Sequence, residues 1–309
     1  MSTAIEWADE TINPVIGCRR CSPACDHCYA ERFASRGMTA AHAAATRDGR
    51  WTGELVWQPK QLEKLERWKD HRRVFVGSMS DLALCSTDQF AMVWSGMEAA
   101  PWHTYLLLTK RPRKLGRLIE RVPGVTTAPD WLWVGCTAWD HESAGINVPD
   151  TLNIPAAGHF VSLEPMLGSV DLTDMPCNVS ATDGLLYCDD YFNALSGAGY
   201  DPMSDETGDP GRYPSLDWVI VGGESGRGAR PLHPQWVRDV RDQCAYAGVP
   251  FMFKQWGEWG PDEGKEARRG RMNTEGVVMP SGTVWRVGKH AAGRMLDGRE
   301  HLDVPEAIR

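Results

Sequence analysis

The chain contains a series of short, almost continuous apolar runs, separated by stretches with helical spacing. Six runs are clear, at residues 73–81, 103–110, 131–137, 159–165, 217–224 and 249–255, and a weaker run at 11–17 precedes them. Each of the six ends in small or polar residues. Unbroken apolar runs of this length predict strands buried on both faces, as in a parallel sheet. The sequence therefore predicts seven strands.

Helical patterns fill most of the intervals between these strands. The predicted helices span 29–36, 58–70, 87–99 with Thr87 as cap, 112–121, 140–146, and 233–247 with Gly248 as its stop. Residues 40–57 give no clear assignment. Alternating strands and helices predict an α/β fold, a complete or partial (β/α) TIM-like barrel. The alternative is an open doubly wound sheet, which would bind its ligand at a single switch point.

Residues 166–216 interrupt the alternation before the sixth strand. Nine acidic residues and one arginine lie in 171–216, which equals the whole net charge of −8. We expect an acidic insertion there, forming a loop or lid over a barrel of residues 1–260. Cys177 and Cys188 in this insertion lack the spacing of a typical zinc site. Residues 261–309 are predicted to be a basic C-terminal extension with a hairpin that turns at 280–282.

The rest of the chain balances 32 basic against 32 acidic residues, so an overall acidic charge does not exclude a basic face. Two stretches are basic, at 110–121 and 265–294, and each is either a phosphate-binding face or an ordinary solvated surface. No run of about 18 apolar residues exists, and the N-terminus lacks the pattern of a signal peptide. We expect a cytoplasmic protein with no membrane partner.

The highest density of potential metal ligands is a group of four cysteines within eleven residues, Cys18, Cys21, Cys25 and Cys28. One triplet has the spacing C-x3-C-x2-C and the other, which begins at Cys18, has C-x6-C-x2-C. In a reducing compartment clustered thiols are metal ligands more often than disulfides. Three thiolates on one loop favour an iron–sulfur cluster with one open iron. A four-cysteine zinc site or a disulfide pair is the alternative.

Polar residues recur at the carboxyl ends of the predicted strands, where barrel enzymes build their sites. Candidate cofactor-binding residues are Ser78, Ser80, Asp81, Thr109, Ser162, Gly222, Gly223 and Glu224, and candidate catalytic residues are Lys110, Glu164, Lys254 and Cys136. Cys136 is a candidate hydrogen-atom donor, or simply a buried apolar residue. An open iron, a barrel and a glycine–acid motif together suit S-adenosylmethionine.

Nine segments together resemble the phage Gp37/Gp68 family. They are IEWAD (5–9), NPVIGC (13–18), SPAC (22–25), CYA (28–30), FVGSMSD (75–81), LTKRP (108–112), SLEP (162–165), WVIVGGESG (218–226) and FKQWG (253–257). That family is similar to radical S-adenosylmethionine enzymes, and to their spore photoproduct lyase branch in particular. The family's cysteines match Cys18, Cys25 and Cys28, whereas Cys21 departs from the pattern.

The resemblance implies a [4Fe-4S] cluster, S-adenosylmethionine as cofactor, and a reductant protein such as flavodoxin or ferredoxin. It also favours a base in DNA or a nucleotide as substrate. The basic stretch at 110–121 is then a candidate to hold phosphates. Trp256 and Trp259 are candidates to stack on a base, although a buried structural role is commoner for tryptophan. Two other functions stay open: a radical enzyme that acts on a peptide or small metabolite, and a non-catalytic metal-binding phage protein. The resemblance favours Cys18, Cys25 and Cys28 as the cluster ligands, with Cys21 as the substitute for Cys18.

Overall fold

The computed structural model of the chain describes residues 5–124, 127–178, 190–200, 210–261, 276–280 and 282–309. Within these residues the strands are β1 (Glu10–Ile12), β2 (Val15–Ile16), β3 (Thr46–Arg47), β4 (Arg50–Trp51), β5 (Val56–Trp57), β6 (Arg73–Val76), β7 (Thr104–Thr109), β8 (Leu132–Thr137), β9 (Gly158–Leu163), β10 (Met175–Pro176), β11 (Tyr191–Asn193), β12 (Ala198–Tyr200), β13 (Trp218–Gly222), β14 (Phe251–Gln255), β15 (Trp259–Pro261), β16 (Gly276–Met279) and β17 (Gly282–Arg286). The helices are α1 (Tyr29–Ala34), α2 (Ala40–Ala45), α3 (Glu63–Arg67), α4 (Thr87–Glu98), α5 (Pro112–Ile119), α6 (His141–Leu152), α7 (Pro234–Ala247) and α8 (Lys289–Ala292).

The predicted strands form a single parallel sheet in the order β1-β6-β7-β8-β9-β13-β14. Each strand lies beside the next strand of the sheet along the chain, so the order never reverses. A doubly wound sheet requires a reversal, and that alternative is wrong. The sequential order with intervening helices is consistent with a partial (β/α) barrel. None of the helices described is long and apolar enough to cross a membrane.

Several predicted boundaries need correction. The run at 11–17 is split, because β1 joins the main sheet whereas β2 pairs with β5 in a separate two-stranded sheet. The helix predicted over 58–70 is a 3₁₀ turn, Pro59–Gln61, followed by the short α3. Helix α4 is capped by Ser86, which forms a capping box with Gln89, so Thr87 is its first helical residue. Helix α6 continues past residue 146 and contains Pro149.

The chain divides into two compact units. The first comprises Met1–Cys136 and Asn153–His159, and the second comprises Thr137–Leu152 and Phe160–Ala307. In the first, strand side chains such as Val74, Tyr105 and Val134 share one core with residues of α4 and α5. Burying such side chains contributes about 1.5–3 kcal/mol each.

In the second unit β13 and β14 are buried and pair with each other, and α7 packs against β14. Helix α7 ends at Ala247 and is followed by Gly248 as predicted, with a left-handed φ of 73°, whereas His233, predicted as its first residue, is the N-cap. The predicted hairpin is also present, with β16 pairing antiparallel to β17.

Only part of the predicted insertion lies within the described residues. Strands β10, β11 and β12 form a small sheet, and Leu172 and Phe192 are fully buried. The backbone N–H of Leu172 donates to Oε1 of Gln243 at 2.9 Å, which connects this segment to α7 within the second unit. Cys188 and the basic residues Lys265, Arg268, Arg269 and Arg271 lie outside the described residues. The lid and the domain boundary at residue 260 stay predictions.

Candidate functional site

The cysteine loop begins at Gly17, directly after β2. The N–H of Gly17 donates to the Met79 carbonyl at 3.1 Å, and its φ is +118°. A Cβ built at this position would lie 2.1 Å from the Glu54 carbonyl oxygen, closer than any real contact. Glycine is therefore required here, both for its backbone conformation and for the close approach of residue 54.

The segment after β6 lies beside the entry to this loop. Asn13 accepts hydrogen bonds on Oδ1 from the Ser78 hydroxyl at 3.1 Å and from the Met79 N–H at 2.8 Å. The Tyr29 hydroxyl donates to the Ser78 carbonyl at 2.8 Å. The Ser80 hydroxyl is buried, and no described residue forms a hydrogen bond with it. Of the two predicted serines, Ser78 has a structural partner and Ser80 keeps an unused polar group.

Asp81 is the centre of a buried hydrogen-bond network. Its Oδ1 accepts from the Thr109 hydroxyl at 2.7 Å and from the Ala83 N–H at 3.1 Å. Its Oδ2 accepts from Arg111 Nη1 at 2.7 Å and from the Lys110 N–H at 3.2 Å. Four donors on one carboxylate hold the polar ends of β6 and β7 together. The structure thus gives Asp81 and Thr109 a structural role, which the sequence could not distinguish from cofactor binding.

Arg111 connects this network to the cysteine loop. While Nη1 pairs with Asp81, Nη2 donates to the backbone carbonyl of Arg19, the residue after Cys18. A second clamp closes the other side of the loop, where Arg20 donates from Nε to Glu31 Oε1 at 3.1 Å. Glu31 is almost fully buried and also accepts the Trp51 N–H at 2.8 Å. The sequence did not single out these clamps, because each joins residues whose proximity depends on the fold.

The four thiols of the loop are all free, and their environments differ. A hydrogen bond from the Cys21 thiol lowers the pKa of Cys25 to about 4, and the same bond raises the pKa of Cys21. Burial raises the pKa of Cys18 to about 11, and the nearby charges of Asp81, Cys28 and Cys25 act in the same direction. Cys18, Cys25 and Cys28 therefore lie within electrostatic range of one another.

The donor set of this loop fits an iron–sulfur cluster in its chemistry. It supplies four free thiols on one loop, and the hydrogen bond from Cys21 favours the ionised form of Cys25. Among the described residues, however, no three His, Cys, Asp or Glu side chains are arranged to hold a metal ion. The choice between Cys18 and Cys21 as third ligand stays open.

The remaining predicted residues, apart from Cys136, gather in the second unit. Lys254 Nζ lies 3.1 Å from Glu164 Oε1, and both side chains are mostly buried. The Ser162 hydroxyl donates to Glu164 Oε2 at 3.3 Å. A Cβ at Gly222 would lie 2.4 Å from Glu164 Oε1, so the carboxylate rests against the bare glycine backbone. Ser162, Glu164, Gly222 and Lys254 therefore form one polar cluster at the strand ends.

Glu224 belongs to a separate ion pair that the sequence did not predict. Arg230 donates to Glu224 Oε2 from its backbone N–H and from Nε, each at 2.9 Å, and Nη2 contacts Oε1 at 2.5 Å. This bidentate pair occupies both oxygens of the carboxylate. Gly223 allows a close backbone approach, since its Cβ would lie 2.0 Å from the Trp256 carbonyl oxygen.

Three other candidates are deeply buried. Cys136 is fully buried in β8, which favours its interpretation as an apolar core residue. Trp256 donates from Nε1 to the Met295 carbonyl at 2.8 Å, and Trp259 donates to the Ala229 carbonyl at 2.6 Å. Both indoles are buried and hydrogen-bonded, as structural tryptophans are.

A family model described as a protein of unknown function, DUF5131, matches residues 2–305. The chain belongs to the DUF5131 family. Searches of curated proteins and of solved structures gave no significant match. The matched range of this DUF5131 protein includes both the cysteine loop and the Glu164–Lys254 cluster.

Proposed function

We propose that this DUF5131 protein is a radical S-adenosylmethionine enzyme. The observation that carries the proposal is the cysteine loop, whose thiols are free and whose backbone is fixed at Gly17 by Met79 and at Arg19 by Arg111. Cys25 and Cys28, with Cys18 or Cys21, would hold a [4Fe-4S] cluster. When bound, such a cluster supplies the electron that cleaves S-adenosylmethionine and starts radical chemistry.

The chain's own residues would prepare this loop for its ligand. The Asp81–Arg111 pair holds the Arg19 carbonyl, and the Arg20–Glu31 pair holds the start of α1 against the loop. Because the backbone is already fixed on both sides of the loop, ligand binding costs less conformational entropy. The buried Ser80 hydroxyl, at the parallel bridge between Gly17 and Ser80, is the polar group beside the loop that still lacks a partner among the described residues.

We further propose that the substrate is a base in nucleic acid. Its support is the concentration of positive charge around the same loop, with Arg19 and Lys110 near the cysteines and Arg113, Lys114 and Arg117 on α5. A flavodoxin- or ferredoxin-type protein would supply the electrons. The Glu164–Lys254 pair and Ser162 are proposed to contact cofactor or substrate, because they are polar groups at strand ends.

Anaerobic reconstitution with iron and sulfide tests the cofactor. We expect a brown protein with broad absorbance at about 400 nm, typical of cysteine-ligated clusters. Cys28→Ala should lose this absorbance, whereas Cys177→Ala, a matched change outside the loop, should keep it. Tight binding of one zinc ion and no iron would refute the cluster and favour the non-catalytic metal-binding alternative.

A further inference from the structure

Helix α5 has one apolar and one basic face. Pro112, Leu115, Leu118 and Ile119 are buried in the core of the first unit. The opposite face carries the basic residues Arg113, Lys114 and Arg117, and Arg121 follows after the last turn; all four are exposed. Glu120 is the only acidic residue between positions 110 and 121. We call these four basic residues the α5 basic face.

The spacing of the α5 basic face is regular. Arg113 and Arg117 are four residues apart on α5, so they lie in one row along the helix, about 6 Å apart at the backbone. Arg121 continues the four-residue spacing in the turn that follows the helix. The phosphates of one nucleic-acid strand repeat regularly, once per about 3.4 Å of duplex axis. Several exposed guanidinium groups on one face suit a ligand with repeated anionic groups, because each can donate two hydrogen bonds to one phosphate.

The α5 basic face also begins at the cysteine loop. Pro112 directly follows Arg111, which pairs with Asp81 and donates to the Arg19 carbonyl. Lys110 precedes Arg111, and its backbone N–H donates a hydrogen bond to the Asp81 carboxylate. A strand bound along the helix would therefore have one end beside Cys18 and Arg19, where the proposed chemistry takes place.

We propose that the α5 basic face binds the phosphate backbone of a nucleic-acid strand and leads that strand to the cysteine loop. What happens to the base at the cysteine loop rests on the proposed function, whereas binding of the strand to α5 does not. Binding needs no cluster, so it can be measured on the full-length protein before reconstitution.

The test measures fluorescence anisotropy of a labelled oligonucleotide, single-stranded and duplex, over about 50–200 mM salt. The test variant, R113Q/R117Q/R121Q, removes the three arginines of the α5 basic face. The control, K60Q/R67Q/K69Q, removes three exposed basic residues near α3. Loss of three phosphate contacts should lower the slope of log K against log salt by about 2 to 3, and weaken binding at least tenfold. The control should change affinity less than threefold. Equal thermal midpoints would show that both variants are folded.

Three outcomes would overturn the inference. The first is a wild-type protein that binds neither oligonucleotide, and the second is a test variant that keeps the wild-type salt slope. The third is equally tight binding of polyglutamate, which would mean that the face recognises only charge or an acidic protein. Failure of the proposed function is separate. If nucleic acid binds through α5 but the reconstituted protein never cleaves S-adenosylmethionine, the inference stands and the enzyme assignment fails.

Discussion

Lys254 reaches Glu164 across strand β13, directly over Gly222. The Lys254 Nζ to Glu164 Oε1 distance is 3.1 Å, and the two residues lie on either side of β13 in the sheet. A Cβ at Gly222 would come within 2.4 Å of Glu164 Oε1. The glycine is needed here for space rather than for a special backbone conformation, because the Glu164 carboxylate occupies the position that a Cβ would take.

Gly222→Ala should displace the Glu164 carboxylate and weaken its contact with Lys254. The obstructing atom is the end of a flexible side chain, so the fold can adapt, and we expect a loss of about 1–2 kcal/mol in the free energy of unfolding. Urea denaturation measures the loss. In a Glu164→Ala background the same substitution should cost less than about 0.5 kcal/mol. An equal cost in both backgrounds would contradict the relationship.

Gly223→Ala provides the contrast, because its Cβ would meet backbone rather than a side chain. The nearest atom is the Trp256 carbonyl oxygen at 2.0 Å. Backbone cannot rotate away, so we expect a loss of more than about 3 kcal/mol. If the two alanine variants had the same stability, the distinction between the two neighbouring glycines would be wrong.

Asp81→Asn should destabilise the first unit and loosen the cysteine loop. The amide keeps the size of the side chain but removes the charge opposite Arg111, whose guanidinium also holds the Arg19 carbonyl. Loss of one partner of a buried pair costs about 3–5 kcal/mol. Chemical denaturation measures this loss, and limited proteolysis should show faster cleavage near Arg19 and Arg20.

Asp26→Asn is the matched control for that experiment. Asp26 is in the same loop, but its side chain is half exposed and lies 3.9 Å from Arg20. Exposed ion pairs of this length contribute little, so we expect a change below about 0.5 kcal/mol. Similar losses for both variants would show that Asp81 does not have the central role given to it here.

Asp297 should make stability depend on pH in the acid range. Hydrogen bonds from Arg238, and then from Arg241, lower its pKa from 3.8 to about 2. Its stabilising contribution is therefore complete above about pH 4 and is lost as the pH falls towards 2. About a third of the carboxylate is exposed, so we expect only about 1 kcal/mol after solvent screening. The difference in melting temperature between wild type and Asp297→Asn should shrink between pH 4 and pH 2, and a constant difference would contradict the ion-pair origin.

The strands of the main sheet were predictable, because each is an unbroken apolar run bounded by polar residues. The split of the first run was not, since the separate pairing of β2 with β5 depends on residues forty positions away. The end of α6 was also missed, because Pro149 normally ends a helix and here lies inside one.

The sequence was sufficient to predict which residue types form the candidate site, but not which side chains pair with each other. Cysteine spacing identified the loop, and strand ends identified Asp81, Glu164 and Lys254. The pairing of Glu224 with Arg230 and of Arg20 with Glu31 depends on tertiary contacts, which sequence spacing alone does not encode. For Cys136 the sequence correctly predicted a position near the end of a strand, but only the structure shows that the thiol is fully buried.

Formation of 5′-deoxyadenosine tests the central claim most directly. Reconstituted protein, dithionite and S-adenosylmethionine would be incubated without oxygen, with and without an oligonucleotide, and the products separated by chromatography. We predict 5′-deoxyadenosine from wild type and from Cys177→Ala, and none from Cys25→Ala or Cys28→Ala. Comparing Cys18→Ala with Cys21→Ala identifies the third ligand as the one whose loss abolishes the product. A wild-type protein that carries a full cluster but forms no 5′-deoxyadenosine would contradict the account.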